Sequence, residues 1–464
     1  MAIPESALNS LRDSLVSSTI FTPQDEGYHD ALRRWSDTGV KRAGIVITPT
    51  AVEDIATALN WSQTHNVDLA IKCGGHSVSG TSSSAGGLVI DLSRLNSATV
   101  NPSTKTITVG GGATWKDVDD ALAAHGLAAV GGTVNHTGVG GLTLGGGYGW
   151  LSGEHGLTID NLLSAKVVLA DGSVVTASEE ENADLFWALR GAGYNFGVVV
   201  EFTFQAYDQP DPVYAGIVAF TPDKVEAIVS ELNTLLVERP DPRSGAVCIF
   251  ARPPGAPVPM VNVLVFYNGT KEQGESRFND LLALGPVANM IDTIPYNHLN
   301  ALQNPMATYG DRKSFKGIFF TPPLSPSFAK MMLAEFTEKV QSDPDLGASA
   351  LLLEFYDMAK TVSVPRTATA FASRGRTQNG IVMLRWTDSS KDLEHRAWAR
   401  DVQGRWKAQL TEEVEGGVPQ YINYAEPGDS VVSNIYGENL GRLKELKAKY
   451  DPANVFRKMH PINV

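Results

Sequence analysis

The chain has 464 residues, of which 43% are hydrophobic and 19% charged, and its formal net charge is −13. A chain of this length exceeds what one hydrophobic core usually serves, so we expect two domains. The acidic balance, without a lysine- or arginine-rich run, argues against a nucleic-acid partner. The two cysteines, Cys73 and Cys248, exclude a disulfide scaffold and allow one disulfide at most.

The N-terminal segment does not show a basic stretch followed by an apolar one, which is the pattern of a secretory signal. No run of about 18 apolar residues predicts a membrane span. We therefore expect an intracellular, cytoplasmic protein.

The first predicted elements form a strand–helix–strand unit. A β-rich run at 45–47 is followed by Thr50 and Glu53, which have the spacing of a helix capping box. Apolar residues then follow helical spacing. The next strand, at 68–71, leads directly into Lys-Cys-Gly-Gly-His-Ser-Val-Ser-Gly at 72–80.

A second helix is predicted from Trp115, with Thr114 and Asp117 as its capping box. The densest glycine run follows at 138–149. Apolar runs later in this half predict buried strands. Up to about residue 204 the chain is therefore a glycine-rich α+β region.

The pattern changes near Pro-Asp-Pro at 210–212, after which longer strands alternate with longer helices. We predict sheet strands at 351–356 and 380–386, and a helix over 439–450 that Asp-Pro ends. The expected organisation is a first domain over 1–204, a second over 205–420 and a C-terminal segment over 421–464.

Two glycine-rich loops, at 72–80 and 138–149, follow strands in the first half. Glycine lets the backbone approach a ligand and present its amides to phosphate oxygens. Neither the Rossmann pattern G-x-G-x-x-G nor the P-loop pattern is present. Glycine alone leaves two interpretations open, a nucleotide bound in another way or tight turns at strand ends.

His76 lies in the first loop, between Gly75 and Ser77. Taken alone, such a histidine is more often a hydrogen-bonded surface residue than a catalyst. Imidazole is nevertheless a nucleophile, and in a cofactor-binding loop it could attack the cofactor. No second metal-ligating residue lies at ligand spacing nearby, so we predict no metal site.

Six motifs occur in order along the chain. They are Cys-Gly-Gly-His-Ser-x-x-Gly at 73–80, Gly-Val-Gly-Gly at 138–141, Gly-Gly-Gly at 145–147, Arg-Gly-Ala-Gly-x-Asn-Phe-Gly at 190–197, Tyr-Ile-Asn-Tyr at 421–424 and Tyr-Asp-Pro at 450–452. Together they resemble the vanillyl-alcohol-oxidase (PCMH-type) FAD oxidases, and most closely the berberine-bridge-enzyme-like branch. The resemblance implies an α+β fold. Its FAD-binding domain has two α+β lobes, and its substrate domain is a large antiparallel sheet backed by helices.

The resemblance also implies that FAD is held covalently, with His76 joined to the flavin 8α-methyl group. The first loop then wraps the pyrophosphate, the second lies along the ribityl chain, and the backbone near Val199 faces the adenine. The residues implied in cofactor binding are His76, Lys72, Cys73, Gly74, Gly75, Ser77, Gly80, Thr133, Gly138, Gly141, Gly145, Gly146, Val199 and Asn423.

Two departures from the family pattern lie in the residues just before the second loop. Many relatives carry a cysteine, which makes a second flavin bond, where this chain has Val134. Valine has no nucleophile, so we predict one covalent bond, a less oxidising flavin and a more open site. Thr137 replaces a frequent apolar residue near the flavin edge where oxygen reacts. Its hydroxyl either bonds its own loop backbone or positions oxygen or substrate.

Hydride transfer requires a base for the substrate's hydroxyl or amine proton. Asn379 is nearest to the position of a glutamate base in some relatives, so that base is missing. Tyr424 matches a tyrosine base, but its ordinary pKa near 10 requires help from a neighbour. Tyr421 and Asn423 are expected to pack and hydrogen-bond beside the flavin.

Further candidates lie in the second domain. Glu354 and Tyr356 could act on substrate, or could point to solvent or core, and this second interpretation is stronger for Glu354 than for Tyr356. Arg374 and Arg376 could bind an acidic substrate, although surface exposure is the favoured interpretation.

The resemblance implies an FAD-dependent oxidase that takes a hydride from a C–H bond next to oxygen or nitrogen. Expected substrates are small or medium alcohols, amines, phenols, polyketides or sugars, with O2 as the electron acceptor and H2O2 as its product. Tailoring in secondary metabolism is the favoured role. A dehydrogenase with another acceptor and a cyclase-like enzyme with structural FAD remain alternatives. We expect neither a nucleic-acid nor a membrane partner, and a monomer or homodimer.

Overall fold

The computed structural model describes residues 3–410, 420–426 and 431–463. The strands are β1 (Thr19–Phe21), β2 (Ile45–Thr48), β3 (Leu69–Lys72), β4 (Leu88–Asp91), β5 (Ala98–Asn101), β6 (Thr106–Gly110), β7 (Leu127–Ala128), β8 (Leu162–Val168), β9 (Val174–Ser178), β10 (Val198–Gln205), β11 (Tyr207–Asp208), β12 (Val213–Phe220), β13 (Ser244–Ala251), β14 (Met260–Tyr267), β15 (Ala288–Asn289), β16 (Asp292–Ile294), β17 (Arg312–Phe320), β18 (Ala350–Tyr356) and β19 (Gln378–Trp386).

The helices connect and cover these strands. They are α1 (Glu5–Ser14), α2 (Tyr28–Ala31), α3 (Val52–Thr64), α4 (Trp115–Ala123), α5 (Val139–Leu144), α6 (Ser152–His155), α7 (Ala183–Ala192), α8 (Val225–Asn233), α9 (Lys271–Ala283), α10 (Tyr296–Leu299), α11 (Pro326–Ser342), α12 (Ala359–Ser363), α13 (Asp392–Lys407), α14 (Val432–Tyr436) and α15 (Leu440–Tyr450).

The first sheet has the order β1-β2-β4-β3, and its last three strands run parallel. Helix α3 connects β2 to β3 and buries Ile55 and Leu59 in the core of this lobe. The predicted capping box at its start is wrong, because Ala51 occupies the N-cap position. Thr50 instead donates its hydroxyl to Ser17 at 2.9 Å, since the N-terminal segment docks beside the start of this helix.

The second sheet, β5-β6-β10-β8-β9, is antiparallel throughout. Helices α4 and α7 contribute to its apolar core. The predicted start of α4 is confirmed: Asp117 accepts hydrogen bonds from the Thr114 N–H and hydroxyl, both at 2.8 Å. A short pair, β7 with β11, leads to the next sheet.

The third sheet has the order β15-β12-β14-β13-β18-β19-β17, with β16 paired to β12, and all its pairings are antiparallel. Alternation along its strands produces two apolar faces. One face packs on helices α8, α9, α11 and α13. The other faces the N-terminal part of the chain. The predicted strands at 351–356 and 380–386 are confirmed as β18 and β19, and the α+β class is confirmed.

The C-terminal segment returns to the second sheet. Leu443 and Leu446 of α15 join the core that contains α4 and α7, as the helical pattern predicts. The domain limits at 204 and 420 stay predictions. Residues 411–419, at the end of the predicted second domain, lie outside the described residues.

Candidate active site

A cavity of about 370 Å³ lies where the first two sheets, the large antiparallel sheet and the C-terminal segment meet. Its walls include the loop that follows β3, the loop that leads into α5, and strands β13, β17, β18 and β19. Residues 455–459 of the C-terminal segment complete the lining. The fold therefore gathers at one place motifs that are far apart in sequence.

The two glycine loops touch each other at this wall. A side chain at Gly74 would collide with the backbone of Gly138, and one at Gly138 would collide with Gly74. Gly75 has a φ of +69°, a left-handed conformation that side chains rarely adopt. Glycine is therefore required both for the contact between the loops and for the turn that precedes His76.

Most of the predicted site residues line the cavity. They are Cys73, Gly74, Gly75, His76, Ser77, Thr133, Thr137, Gly138, Gly141, Val199, Tyr421, Asn423 and Tyr424. The structure thus brings together the first loop, the second loop, β10 and the C-terminal segment.

Part of the predicted cofactor-binding set lies behind the wall rather than on it: Lys72, Gly80, Gly145 and Gly146. The Lys72 ammonium pairs with Asp91 at 2.6 Å. A side chain at Gly145 would collide with Asn423. Lys72 and Gly145 thus contact other parts of the protein, and the role of all four residues toward the cofactor stays a prediction.

His76 lies in the wall among aromatic rings. The Trp35 ring is stacked on it, with 5.2 Å between ring centroids and 7° between planes. His76 Nε2 lies 2.8 Å from His136 Nδ1. Burial, together with the neighbouring His136, lowers the pKa of His76 to about 3. The ring is therefore neutral at physiological pH and keeps the lone pair that a nucleophile needs.

The two departures from the family pattern, just before the second glycine loop, both reach the cavity. Val134 lines it and packs against the apolar cluster of the large sheet. The Thr137 N–H donates to the Val134 carbonyl at 3.1 Å. The Thr137 hydroxyl has no hydrogen bond to any described residue, so the interpretation that it bonds its own loop is wrong. Its role toward oxygen or substrate stays a prediction.

A buried carboxyl and a phenol form a pair at the wall made by the large sheet. The Tyr424 hydroxyl donates to Glu354 Oε1 at 2.7 Å. Burial raises the pKa of Glu354 to about 7, although hydrogen bonds from Tyr424 and Asn379 lower it. Burial and the adjacent carboxylate raise the pKa of Tyr424 well above its ordinary value.

The interpretation of Glu354 as a side chain that points to solvent or core does not fit this geometry, because Glu354 lines the cavity. Glu354 shares a face of β18 with Ala350 and Leu352, and all three line the cavity. A period of two along the strand places them on the same side of the sheet.

Asn379 and Tyr356, predicted as catalytic candidates, are neighbours of this pair but do not line the cavity. The Asn379 side chain lies close enough to Glu354 to lower the pKa of its carboxyl. The Tyr356 ring packs edge-on against Trp150 at 5.7 Å. Asn379 thus lies beside the carboxyl and Tyr356 packs in the core, and their catalytic roles stay predictions.

Tyr421 and Asn423 lie in the cavity wall, and their place beside the flavin stays a prediction. The Asn423 amide donates to the Tyr421 hydroxyl and to the Leu142 carbonyl, both at 2.9 Å. Asn423 thus fixes the C-terminal segment onto the second glycine loop.

Arg374 is buried, contrary to the exposure that we expected. Its guanidinium forms an ion pair with Asp160 at 2.6 Å, which satisfies its charge inside the protein. Arg376 is exposed, as expected. Neither arginine lines the cavity, so the structure gives no support for an acidic-substrate site.

Both cysteines are free thiols, with Cys248 in the core of the large sheet and Cys73 at the cavity. Among residues 3–410, 420–426 and 431–463, no group of three His, Cys, Asp or Glu side chains could hold a metal ion. No helix within these ranges is both long and apolar enough to cross a membrane.

Comparison with known proteins assigns the chain to a family. Residues 43–178 match the model of an FAD binding domain, and residues 420–463 match the model described as berberine and berberine like. The FAD-linked oxidoreductase pgmH from Aspergillus terreus is 33% identical, over 99% of this chain and 96% of that protein. The chain belongs to the berberine-bridge-enzyme-like family of FAD-linked oxidoreductases.

Solved structures of this oxidoreductase family share the whole fold. The 6-hydroxy-D-nicotine oxidase from Arthrobacter nicotinovorans superposes with a TM-score of 0.83 at 26% identity, covering 97% of this chain and 98% of that one. A glucooligosaccharide oxidase from Acremonium strictum, which carries a 6-S-cysteinyl, 8α-N1-histidyl FAD, gives a TM-score of 0.85 at 23% identity, covering 99% of each chain. The predicted PCMH-type fold is confirmed.

The cavity of this FAD-linked oxidoreductase fits its cofactor. Within the described residues, the backbone N–H groups from Gly75 to Ser79 donate to no protein acceptor, which leaves them for phosphate oxygens. A Cβ added at Gly141 would meet no protein atom within 4 Å, although Gly141 lines the cavity. Free amides and an open glycine surface are what a dinucleotide cofactor requires.

Sequence reasoning missed His136 and gave Glu354 too little weight. Two signals were available. His136 lies two residues beyond Val134, just before the second glycine loop. Glu354 is a charged residue on a strand whose neighbouring residues are apolar. A lone charge on such a strand indicates a buried, partnered carboxyl.

Proposed function

We propose that this protein is an FAD-dependent oxidase that removes a hydride from a C–H bond next to oxygen or nitrogen of a small organic substrate. The observation that carries the proposal is the hydrogen bond from the half-buried Tyr424 to the buried Glu354 in the wall of the FAD cavity. A hydride can leave such a carbon only if the adjacent O–H or N–H loses its proton. The pair is a proton acceptor placed beside the cofactor cavity.

FAD, once bound, supplies the hydride acceptor, and O2 returns it to the oxidised state with release of H2O2. His76 is the proposed covalent attachment site, because it is neutral, half-buried in the cavity wall and carried by the loop that follows β3. Val134 occupies the position where a second attachment would need a cysteine, so we propose one bond only.

The proton is proposed to move through Tyr424 to Glu354. A phenol with a raised pKa is a poor base by itself. Tyr424, however, already donates its hydroxyl proton to Glu354. It can therefore accept the substrate's proton on its oxygen as its own proton passes to the carboxylate. A carboxyl with a pKa of about 7 is partly ionised at neutral pH and suits this task.

The large sheet presents an apolar wall around this pair, which favours an apolar substrate. Besides Glu354, the cavity-lining residues of strands β13, β17, β18 and β19 are Val247, Phe315, Ala350, Leu352, Ile381 and Met383. A sugar would leave most of its hydroxyls unpaired against such a surface, at a cost for each. We therefore favour an aromatic or terpenoid alcohol, phenol or amine, as in the tailoring of secondary metabolites.

Purified protein tests the proposal when it is mixed with a panel of aromatic, terpenoid, amine and oligosaccharide substrates. Anaerobic mixing should bleach the flavin absorbance with an apolar alcohol or amine, and air should restore it with one H2O2 per substrate oxidised. Reoxidation that needs a quinone instead of O2 would favour the dehydrogenase alternative. Product formation without bleaching would rule the oxidase out.

A further inference from the structure

The contact between His76 and His136 has no role in the oxidation described above. The two ring nitrogens lie 2.8 Å apart, a hydrogen-bond distance, so one ring donates and the other accepts. The His136 ring also lies close to Tyr309, with 5.2 Å between centroids, and the Tyr309 ring lies 5.9 Å from His76. Three rings from different segments therefore fix one another's positions.

The geometry leaves one nitrogen of each ring outside this contact, His76 Nδ1 and His136 Nε2. The Ala307 carbonyl, which accepts from the Trp35 indole at 2.7 Å, and the His136 main-chain carbonyl both favour a proton on the His136 ring. A proton on His136 Nε2 makes its Nδ1 a lone-pair acceptor, and His76 Nε2 then carries the donated hydrogen. The His136 main-chain carbonyl also favours a proton on His76.

We propose that His136 is a positioning residue for covalent flavin attachment: it holds His76 in the tautomer whose Nδ1 is the free nucleophile, and it accepts the Nε2 proton as the bond forms. This inference rests on the proposed attachment of FAD through His76. The same relation, a base oriented against a nucleophile by a hydrogen bond, activates other nucleophiles in enzymes.

In the attachment, a bond forms between His76 Nδ1 and the carbon of the flavin 8α-methyl group, and one C–H bond of that methyl group breaks. His76 loses its Nε2 proton to His136, which releases it to solvent. The hydrogen and electron pair of the C–H bond, together with that proton, are taken up by O2, which becomes H2O2. Each chain that attaches its flavin therefore consumes one O2.

The test compares the covalent flavin of wild type, His136→Ala, His136→Asn and Tyr309→Phe, each purified with bound FAD. Acid precipitation separates flavin that stays with the polypeptide from flavin that is released. Incubation in air then gives the rate at which the covalent fraction grows. In His136→Ala we expect attachment to be slower by about a hundredfold or more, the scale of a lost general base.

Two further results separate positioning from a loss of folding. The amide introduced by His136→Asn keeps an acceptor near the Nδ1 position, so this variant should recover part of the rate, and added imidazole should speed attachment in His136→Ala. Tyr309→Phe keeps the ring contacts and should attach flavin as wild type does. Attachment at the wild-type rate in both His136→Ala and His136→Asn would overturn the role of His136 but not the bond to His76. Wild-type flavin that is fully released by acid would overturn the His76 bond, and this inference with it.

Discussion

Tyr424 is the residue whose loss tests the proton path most directly. Tyr424→Phe keeps the ring but removes the oxygen that links substrate to Glu354. We expect kcat to fall by about a hundredfold or more, with little change in KM and in flavin content. Steady-state oxygen consumption and the flavin spectrum measure these quantities.

Tyr450→Phe is the matched control for this change. Its hydroxyl donates to Asp184 at 2.7 Å, a phenol–carboxylate bond of the same length outside the cavity. It should leave kcat unchanged. Equal activity in Tyr424→Phe and wild type would exclude Tyr424 from the proton path.

The raised pKa of Glu354 predicts opposite pH trends for activity and stability. Burial raises this pKa from 4.5 to about 7, and the groups around the carboxyl include the phenols of Tyr148, Tyr356 and Tyr421. Activity requires the carboxylate, so kcat/KM should rise with pH through a limb near 7. Stability from the neutral carboxyl is complete below pH 4.5 and is lost as pH rises through about 7.

Glu354→Gln separates these two effects because glutamine keeps the shape but cannot ionise. This variant should lose the limb near pH 7 along with most of the activity. It should also gain stability relative to wild type as pH rises from about 4.5 to 7, measured by urea denaturation at a series of pH values. A limb that persists in Glu354→Gln would assign it to another group.

Gly141 tests where the cofactor lies. A leucine side chain there would meet no protein atom near its Cβ but would project from the cavity wall. Gly141→Leu should therefore fold as wild type does and bind at least about tenfold less FAD. Gly404→Leu is the control, since Gly404 also has open space at its Cβ but lies at an exposed position of α13. Full flavin content in Gly141→Leu would place the cofactor elsewhere.

At the scale of elements, the Tyr-Asp-Pro motif has a structural explanation. Lys447 and Asp451, one turn apart at the end of α15, form a fully buried ion pair at 2.6 Å. Asp451 also accepts the N–H groups of Val455 and Phe456, while Lys447 donates to the Phe456 carbonyl. The pair thus fixes the turn that directs residues 455–459 to the cavity wall.

Asp451→Asn should accordingly destabilise the protein by about 3–5 kcal/mol, because it leaves the Lys447 ammonium buried without its counter-charge. Denaturant unfolding measures this loss, and flavin retention should weaken with it. Lys449→Met on the same helix removes an exposed pair with Asp184 and should change stability little. Similar stabilities for the two variants would contradict the role assigned to the motif.

The sequence predicts elements better than it predicts the contacts between them. Strands β18 and β19, helix α4 and the glycine loops can be read from local patterns, since each depends on residues near in sequence. The hydrogen bond between Tyr424 and Glu354 joins residues 70 apart, and the contact between His76 and His136 joins residues 60 apart. No local pattern encodes such pairs. Likewise, the Thr50 capping box failed because Ser17, from a distant segment, takes its hydroxyl.

At the scale of the molecule, the cavity lies where three apolar cores meet, so an FAD that fills it would contact all of them at once. The cavity wall includes residues from the first lobe, the second sheet and the large sheet. A ligand that binds only the folded state stabilises it by an amount that depends on its free concentration. A covalently held cofactor contributes without any such dependence.

His76→Ala should turn this contribution into an equilibrium. The variant should bind FAD reversibly, and its Tm should rise with added FAD, corresponding to about 2.7 kcal/mol at a hundredfold excess over Kd. The Tm of the wild type should not respond to added FAD, because the proposed bond to His76 keeps its own flavin in place. Thermal unfolding of both proteins at increasing FAD concentrations measures the difference. A wild-type Tm that rises in parallel with that of His76→Ala would mean that the flavin dissociates from both, and that His76 does not hold it.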